Sequence, residues 1–285
     1  FIIGKFRMQR IEYFVNLHPE NITMDIELTD KPQIEKYNEL LLDIGSTLMI
    51  SGANCGRIDR NIKRIADVLG VEIESFFSFN GIILTTKMRD NPSEKATHYK
   101  RLPSHGVHFG VLTETSLLSW RAVSDGLGYD EIQKEFEEIK KIKHHNRYQT
   151  LILVALACAS LCILAGGNYI DASFFFLVSF LGLFVRQEMV KKKFNLMIAI
   201  ILASFVTCFI CSFNVYFGLG EVPEKALATG VLYLIPGVPL VNGVIDFIEG
   251  YVTTGIARGF HAGFILLCIA VGMAISIFIF GINNF

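Results

Sequence analysis

LMIAIILASFVTCFICSFNVYF, Leu196–Phe217, runs through the middle of the C-terminal half without one charged side chain. A bilayer core of ~30 Å needs about 20 helical residues, so this stretch reads as a membrane-crossing helix. Outward from it lie four more apolar runs: Thr150–Ala165, Phe174–Val185, Ala226–Ile245 and Gly263–Phe280. The first ends at Gly166-Gly167-Asn168. The second is short for a crossing and is expected to borrow its polar flanks. The fourth is interrupted by Pro236-Gly237-Val238-Pro239.

The charges divide in the same way. Residues 1–150 carry 20 of the 26 Lys and Arg and 21 of the 27 Asp and Glu, leaving six of each sign for the last 135 residues. A segment of that length with twelve charges cannot also build a water-facing surface. Its solvent is lipid. The expected fold class is an α-helical polytopic membrane protein of about five transmembrane helices, with an N-terminal cytoplasmic α+β domain. The expected division is a leader over 1–36, an α+β domain over 37–147 and a five-span domain over 148–285.

The leader is mixed and polar, with Pro19 and Pro32 as breakers. Phe1-Ile2-Ile3 is too short for the apolar region of a signal peptide, and charge interrupts from Lys5. From Tyr37, Leu40, Leu41, Ile44 and Leu48 recur at helical spacing up to Gly52. A second helix places Ile58, Ile62, Ile65 and Leu69 on one face and Arg57, Arg60, Lys63 and Arg64 on the other, closing at Gly70. Two β-rich runs over 71–79 and 82–87 are joined by Asn80-Gly81, a strong hairpin signal. A third strand is expected at Lys100–Leu102 and a helix at Thr113–Ser124. A last helix, N-capped by Asp130, runs through Ile132, Phe136, Ile139 and Ile142 and enters the first span without a breaker.

Basic residues orient the spans. Lys140, Lys141, Lys143 and Arg147 precede the first span, Arg186 and Lys191–Lys193 follow the second, and Arg258 follows the fourth. The opposite connections hold only Lys225, beside Asp171, Glu221 and Glu224. The N-terminal domain is therefore expected in the cytoplasm and the C-terminus outside.

Chemistry concentrates in the fourth run. Two prolines around Gly237 cannot continue a regular helix, and broken backbone at membrane depth is tolerated only inside protein or along a wet cavity. Discontinuous helices of this kind build binding sites in secondary transporters. Asn242 and Asp246 are four residues apart and Glu249 three further on, so they share a face. Intramembrane carboxylates default to function, and the alternative is that Asp246 and Glu249 are solvated at the cytoplasmic end of the span. The candidate substrate pathway is Pro236, Gly237, Pro239, Asn242, Asp246 and Glu249.

Other motifs read more simply. Cys208-x-x-Cys211 lies inside a span with no polar partner and reads as packing. Cys55 is alone in the charged half, so no disulfide framework is implied. His105-x-x-His108 lacks a third ligand and reads as a surface loop, and His144-His145 as part of the basic belt. The net charge of −1 offers no field for nucleic acid. Neither a nucleophile elbow nor a phosphate loop is present, so no enzyme and no cofactor or metal is expected.

The succession of Leu40–Cys55, Gly56–Gly70, the Phe76–Thr86 hairpin and a five-span region with a Pro-Gly-x-Pro-Leu-Val-Asn-Gly core resembles the bacterial threonine/serine exporter family over residues 37–282. It is most similar to the larger subunit of the family's split form, which is associated with succinate and related dicarboxylates. Pro236, Gly237, Pro239, Asn242 and Asp246 match the motif region. The resemblance implies a transporter of about ten spans in the bacterial inner membrane, in which this chain pairs with a small subunit of four or five spans and exports a small carboxylate or amino acid. The alternative reading is a membrane-anchored sensor or assembly protein whose cytoplasmic domain binds a ligand or partner. A plain anchor would need no broken fourth span.

Overall fold

In the computed structural model, residues 31–102, 106–143, 145–217 and 230–280 are described. Gln33–Phe285 forms one compact unit. Residues 1–30 of the leader, His105, His144 and the first residues of the fourth run fall outside the described residues, and residues 33–36 of the expected leader already belong to a helix.

The chain folds where its periodicity says it should. Helix α1, Gln33–Ile50, buries Leu40, Leu41, Ile44 and Leu48, and Gly52 turns the chain with φ of +99°. That angle lies in the left-handed region open to glycine. Helix α2, Cys55–Val68, buries Ile58, Ile62 and Ile65 and turns its basic face outward. Strands β1 (Val71–Ser78), β2 (Gly81–Met88) and β3 (Lys95–Arg101) form an antiparallel sheet in the order β1-β2-β3, with the hairpin closing at Ser78↔Gly81. Helices α3 (Phe109–Ser124) and α4 (Tyr129–Lys140) complete this helix–sheet domain, and Leu118, Ile132 and Phe136 lie in its core with α1 and α2.

Asn38 ties α1 to the sheet. It is fully buried, and its amide donates to Leu84 O at 2.9 Å, Thr86 Oγ1 at 2.9 Å and Ala96 O at 3.2 Å. A buried amide must find partners, and here it takes them from two strands at once.

Boundaries depart from expectation in several places. β3 spans Lys95–Arg101, where the sequence suggests only Lys100–Leu102, because pairing with β2 extends it. α3 starts at Phe109, capped by the His108 ring, whose Nδ1 accepts from Val111 N at 3.3 Å. α4 begins at Tyr129 behind Gly128, with Glu131 closing the cap, so Asp130 is a first-turn acid and not the cap. The chain also breaks between α4 and the first apolar helix. Asn146 and Gln149 form a capping box that starts α5 afresh at Arg147.

Among the described residues, five apolar helices follow. α5 (Arg147–Leu164), α6 (Tyr169–Lys191) and α9 (Val252–Phe280) are each long and apolar enough to cross a membrane. α7 (Leu196–Phe217) is apolar throughout, and α8 (Gly237–Ile248) has only 12 residues. At 1.5 Å per residue α8 reaches about 18 Å and cannot cross alone. Before it come a 3-10 turn at Leu232–Leu234 and the Pro236 cap. α9 begins at Val252, eleven residues before the expected Gly263. Arg258 is therefore inside a helix, not in a connection. Arg186 likewise lies within α6.

α5 packs on α6, α6 on α7, α7 on α9 and α9 on α8. Two contacts are set by glycine. Gly272 of α9 lies against the α7 backbone at Ile201 and Phe205, and Ser204 Oγ donates to Ile269 O at 2.8 Å beside it. Gly243 of α8 and Gly255 of α9 let those helices touch backbone to backbone: a β-carbon on Gly255 would lie 2.8 Å from Gly243 O and from Phe247 N. Small residues at helix crossings serve this purpose in membranes.

Candidate functional site

The turn between α1 and α2 leaves backbone groups without helical partners. Gly52 O and Ala53 O end one helix, and Cys55 N opens the next. Asn54 caps α2, its Oδ1 accepting from Arg57 N at 2.7 Å. The remaining groups are met by side chains about 190 residues further along the chain. Asn242 Nδ2 donates to Gly52 O at 2.8 Å. Cys55 N donates to Asp246 Oδ1 at 2.7 Å. Arg258 Nη2 donates to Ala53 O at 3.1 Å. The clamp is closed by an ion pair, Arg258 Nη1 to Asp246 Oδ2, at 2.8 Å.

Both ions are shielded: Asp246 is 0 % exposed and Arg258 4 %. Taking two charges out of water is costly unless hydrogen bonds meet them; the turn supplies one to each ion, Cys55 N to Oδ1 and Ala53 O to Nη2, while Oδ2 and Nη1 face only each other. The carboxylate also sits at the N-terminus of α2, where the helix dipole favours negative charge. Glu249 extends the arrangement outward. It pairs with Arg60 at 3.1 Å and lies against Gly56, where any β-carbon would collide with its carboxylate. Glycine at position 56 is what lets a second acid reach the start of α2.

The contact continues along α9. Thr254 Oγ1 donates to Phe77 O at 2.9 Å, Tyr251 meets Phe77 edge-on at 5.5 Å, and His261 lies 5.3 Å from the Phe79 ring. The first turns of α9 therefore pack on the β1–β2 hairpin. Burial, with the charge of Asp246 second, pushes the Cys55 thiol up from 9.0 to about 12. It is a neutral, buried thiol and no nucleophile.

The six residues singled out in the sequence separate into two groups. Asn242 and Asp246 are brought together in the clamp, with Glu249 at its rim. Pro236, Gly237 and Pro239 form the start of α8: Pro236 is the cap, Gly237 has open space around its α-carbon, and Pro239 falls in the first turn, where a missing amide costs little. The prolines thus begin a helix and do not kink one. Sequence reasoning missed Arg258 as a partner, along with Gly52, Ala53 and Cys55. The available signal for Arg258 was its rarity, one of six basic residues in 135. Among the described residues, no group of three or more His, Cys, Asp or Glu could hold a metal. What this arrangement can do is hold the helix–sheet domain against the α8–α9 hairpin, through Asn242, Asp246, Glu249 and Arg258.

Comparison with known proteins adds to this geometry. The sequence model of a family described as "Putative threonine/serine exporter" matches residues 39–280. The "Probable succinate transporter subunit YjjP" of Klebsiella aerogenes is 28% identical over 90% of this chain and 98% of that protein. Its namesake in Escherichia coli is 28% identical over 88% and 98%. The threonine/serine exporter of Corynebacterium glutamicum is 22% identical over 90% of this chain but only 55% of that protein. No solved structure matches the chain.

Proposed function

Because the chain belongs to the threonine/serine exporter family, we propose that it is the larger subunit of a two-subunit secondary transporter exporting small carboxylates across the bacterial inner membrane. Succinate-like dicarboxylates are the favoured substrates over threonine or serine. The relatives it matches along nearly their whole length are named succinate transporter subunits, whereas it spans about half of a threonine/serine exporter. Relatives named as transporter subunits support a partner, a small membrane subunit of four or five spans. The outward apolar faces of α8 and α9, with Val241, Val244, Ile248 and Phe260 exposed, offer it a surface.

The observation that carries the reading is the break in the fourth apolar run, a 3-10 turn and Pro236 ahead of the short α8, with Asn242 and Asp246 locked to the helix–sheet domain at its far end. Broken backbone beside polar groups is how many transporters build a pathway through lipid. The pathway is assigned to Pro236, Gly237, Pro239, Asn242, Asp246 and Glu249. The start of α8, with the positive end of its helix dipole, meets the substrate carboxylate. Asp246 and Glu249 control the inner mouth, and proton uptake by either would release its cationic partner, Arg258 or Arg60. The excess of Lys and Arg before α5 and after α6 supports a cytoplasmic helix–sheet domain and an external C-terminus.

The test is carboxylate efflux from cells lacking the native pair and supplied with both subunits. Asp246→Asn and Asn242→Ala should each lower succinate efflux at least tenfold while both subunits remain in the membrane. Full flux in both variants would sink the pathway.

A further inference from the structure

One face of α6 carries Ser179, Gly182 and Arg186 at spacings of three and four. Ser179 is fully buried beside Cys158, and its hydroxyl has no hydrogen-bond partner of normal geometry. Gly182 lies directly under two hydroxyls: a β-carbon there would collide with Tyr233 Oη and Thr207 Oγ1. Those oxygens are hydrogen-bonded to each other at 2.9 Å. Tyr233 belongs to the 3-10 turn that precedes the Pro236 break, so the break, α6 and α7 converge on one polar spot.

Arg186 is one turn further along the same face, half-buried and within electrostatic reach of Tyr233. Among the described residues its guanidinium makes no hydrogen bond and no ion pair. The other arginines of α5–α9 are answered. Arg147 meets Gln187 at 2.7 Å and Glu188 at 2.6 Å, and Arg258 meets Asp246 at 2.8 Å. An arginine inside a span is costly and is retained where it pairs or works. α8 begins four residues after Tyr233, which adds the positive end of a helix dipole to the same stretch.

We propose that Arg186, with the Tyr233–Thr207 hydroxyl pair and Ser179, is an anion site that takes a carboxylate group of the transported solute. The guanidinium fork donates to both oxygens of a carboxylate, and hydroxyls can donate to whichever oxygen faces them. The assignment of this anion as the exported solute rests on the proposed transport function. The site is separate from the Asp246 clamp, so the two make different demands. The clamp governs the mouth, and Arg186 sets which solutes are held.

Two measurements test it. In native membranes carrying the complete transporter, phenylglyoxal modification of Arg186 is followed by mass spectrometry. Succinate should protect Arg186 at least about fivefold, while sodium chloride at equal ionic strength and a neutral diol should not. In the efflux assay, Arg186→Gln should raise the KM for succinate at least about tenfold, Arg186→Lys should recover part of the loss, and Tyr233→Phe should give a smaller rise. Lys191→Gln, an exposed change on the same helix, should leave KM unchanged. Equal modification with and without succinate, or an unchanged KM in Arg186→Gln, overturns the proposal even if the protein exports carboxylates. Protection without export in the wild type would uphold the site and sink the export reading.

Discussion

Asp246 is the residue on which the two halves of the chain depend. It accepts from Cys55 N and pairs with Arg258 in a place water does not reach. Removing one member of a buried pair strands the other charge, at a cost of about 3–5 kcal/mol. Asp246→Ala should therefore lower the stability of the purified protein by that amount in denaturant unfolding, and Asp246→Ala combined with Arg258→Leu should recover a good part of it. Cys55 reports the same event. Buried and neutral, it should resist maleimide at pH 7.5 in the wild type and react readily once Asp246→Ala loosens the turn. Its raised thiol pKa gives the pH dependence a sign. The docked state holds the protonated form, so this contribution is complete below about pH 9 and is lost as pH rises toward about 12. Maleimide protection that persists unchanged to pH 12 would contradict the assignment. That Asn242 and Asp246 share a face was legible from their spacing of four. That they hold Gly52 and Cys55 was not, because a contact across 190 residues leaves no local pattern.

Among the elements, the α8–α9 hairpin is the one whose form the sequence misjudged most. An apolar run broken by two prolines reads as one interrupted span. Folded, it is a 3-10 turn followed by a short helix that the prolines initiate. α9 then starts eleven residues early, because Val252–Arg258 finds its packing on the β1–β2 hairpin and not in lipid. The crossing of the two helices rests on Gly243 and Gly255. Gly255→Val should force their backbones apart, with a loss of at least 1–3 kcal/mol of the kind seen on overpacking. It should also raise the maleimide reactivity of Cys55, because Asp246 and Arg258 sit on the two separated helices. Gly237→Ala, with open space around its α-carbon, should change neither. By contrast α2 and the hairpin were legible almost to the residue, and α1 in its buried face though not in its start, which lies at Gln33 and not Tyr37; amphipathic periodicity and an Asn-Gly turn are local signals that tertiary packing here reinforces.

Across the whole molecule, the charge asymmetry that marks out the lipid-facing half also fixes how it should insert. A reporter active only in the cytoplasm, fused after Phe285, should be silent, and one fused ahead of Gln33 should be active; the reverse pair would invert the topology. Composition by itself determined that this chain has a membrane half, since twelve charges in 135 residues cannot clothe a water-soluble surface. It determined the helix–helix–hairpin order as well, because those elements follow from periods of 3.6 and 2 in the chain. What only the tertiary structure decided is what the scarce charges are for. Arg258 and Arg186 both read as topological residues in loops. One is buried against Asp246 in a clamp on the helix–sheet domain, and the other lies on α6 one turn beyond Gly182, where Tyr233 packs. The reason is physical: hydrophobic pattern is written along the chain and can be read there, but a buried ion's partner is chosen by which helices come to touch.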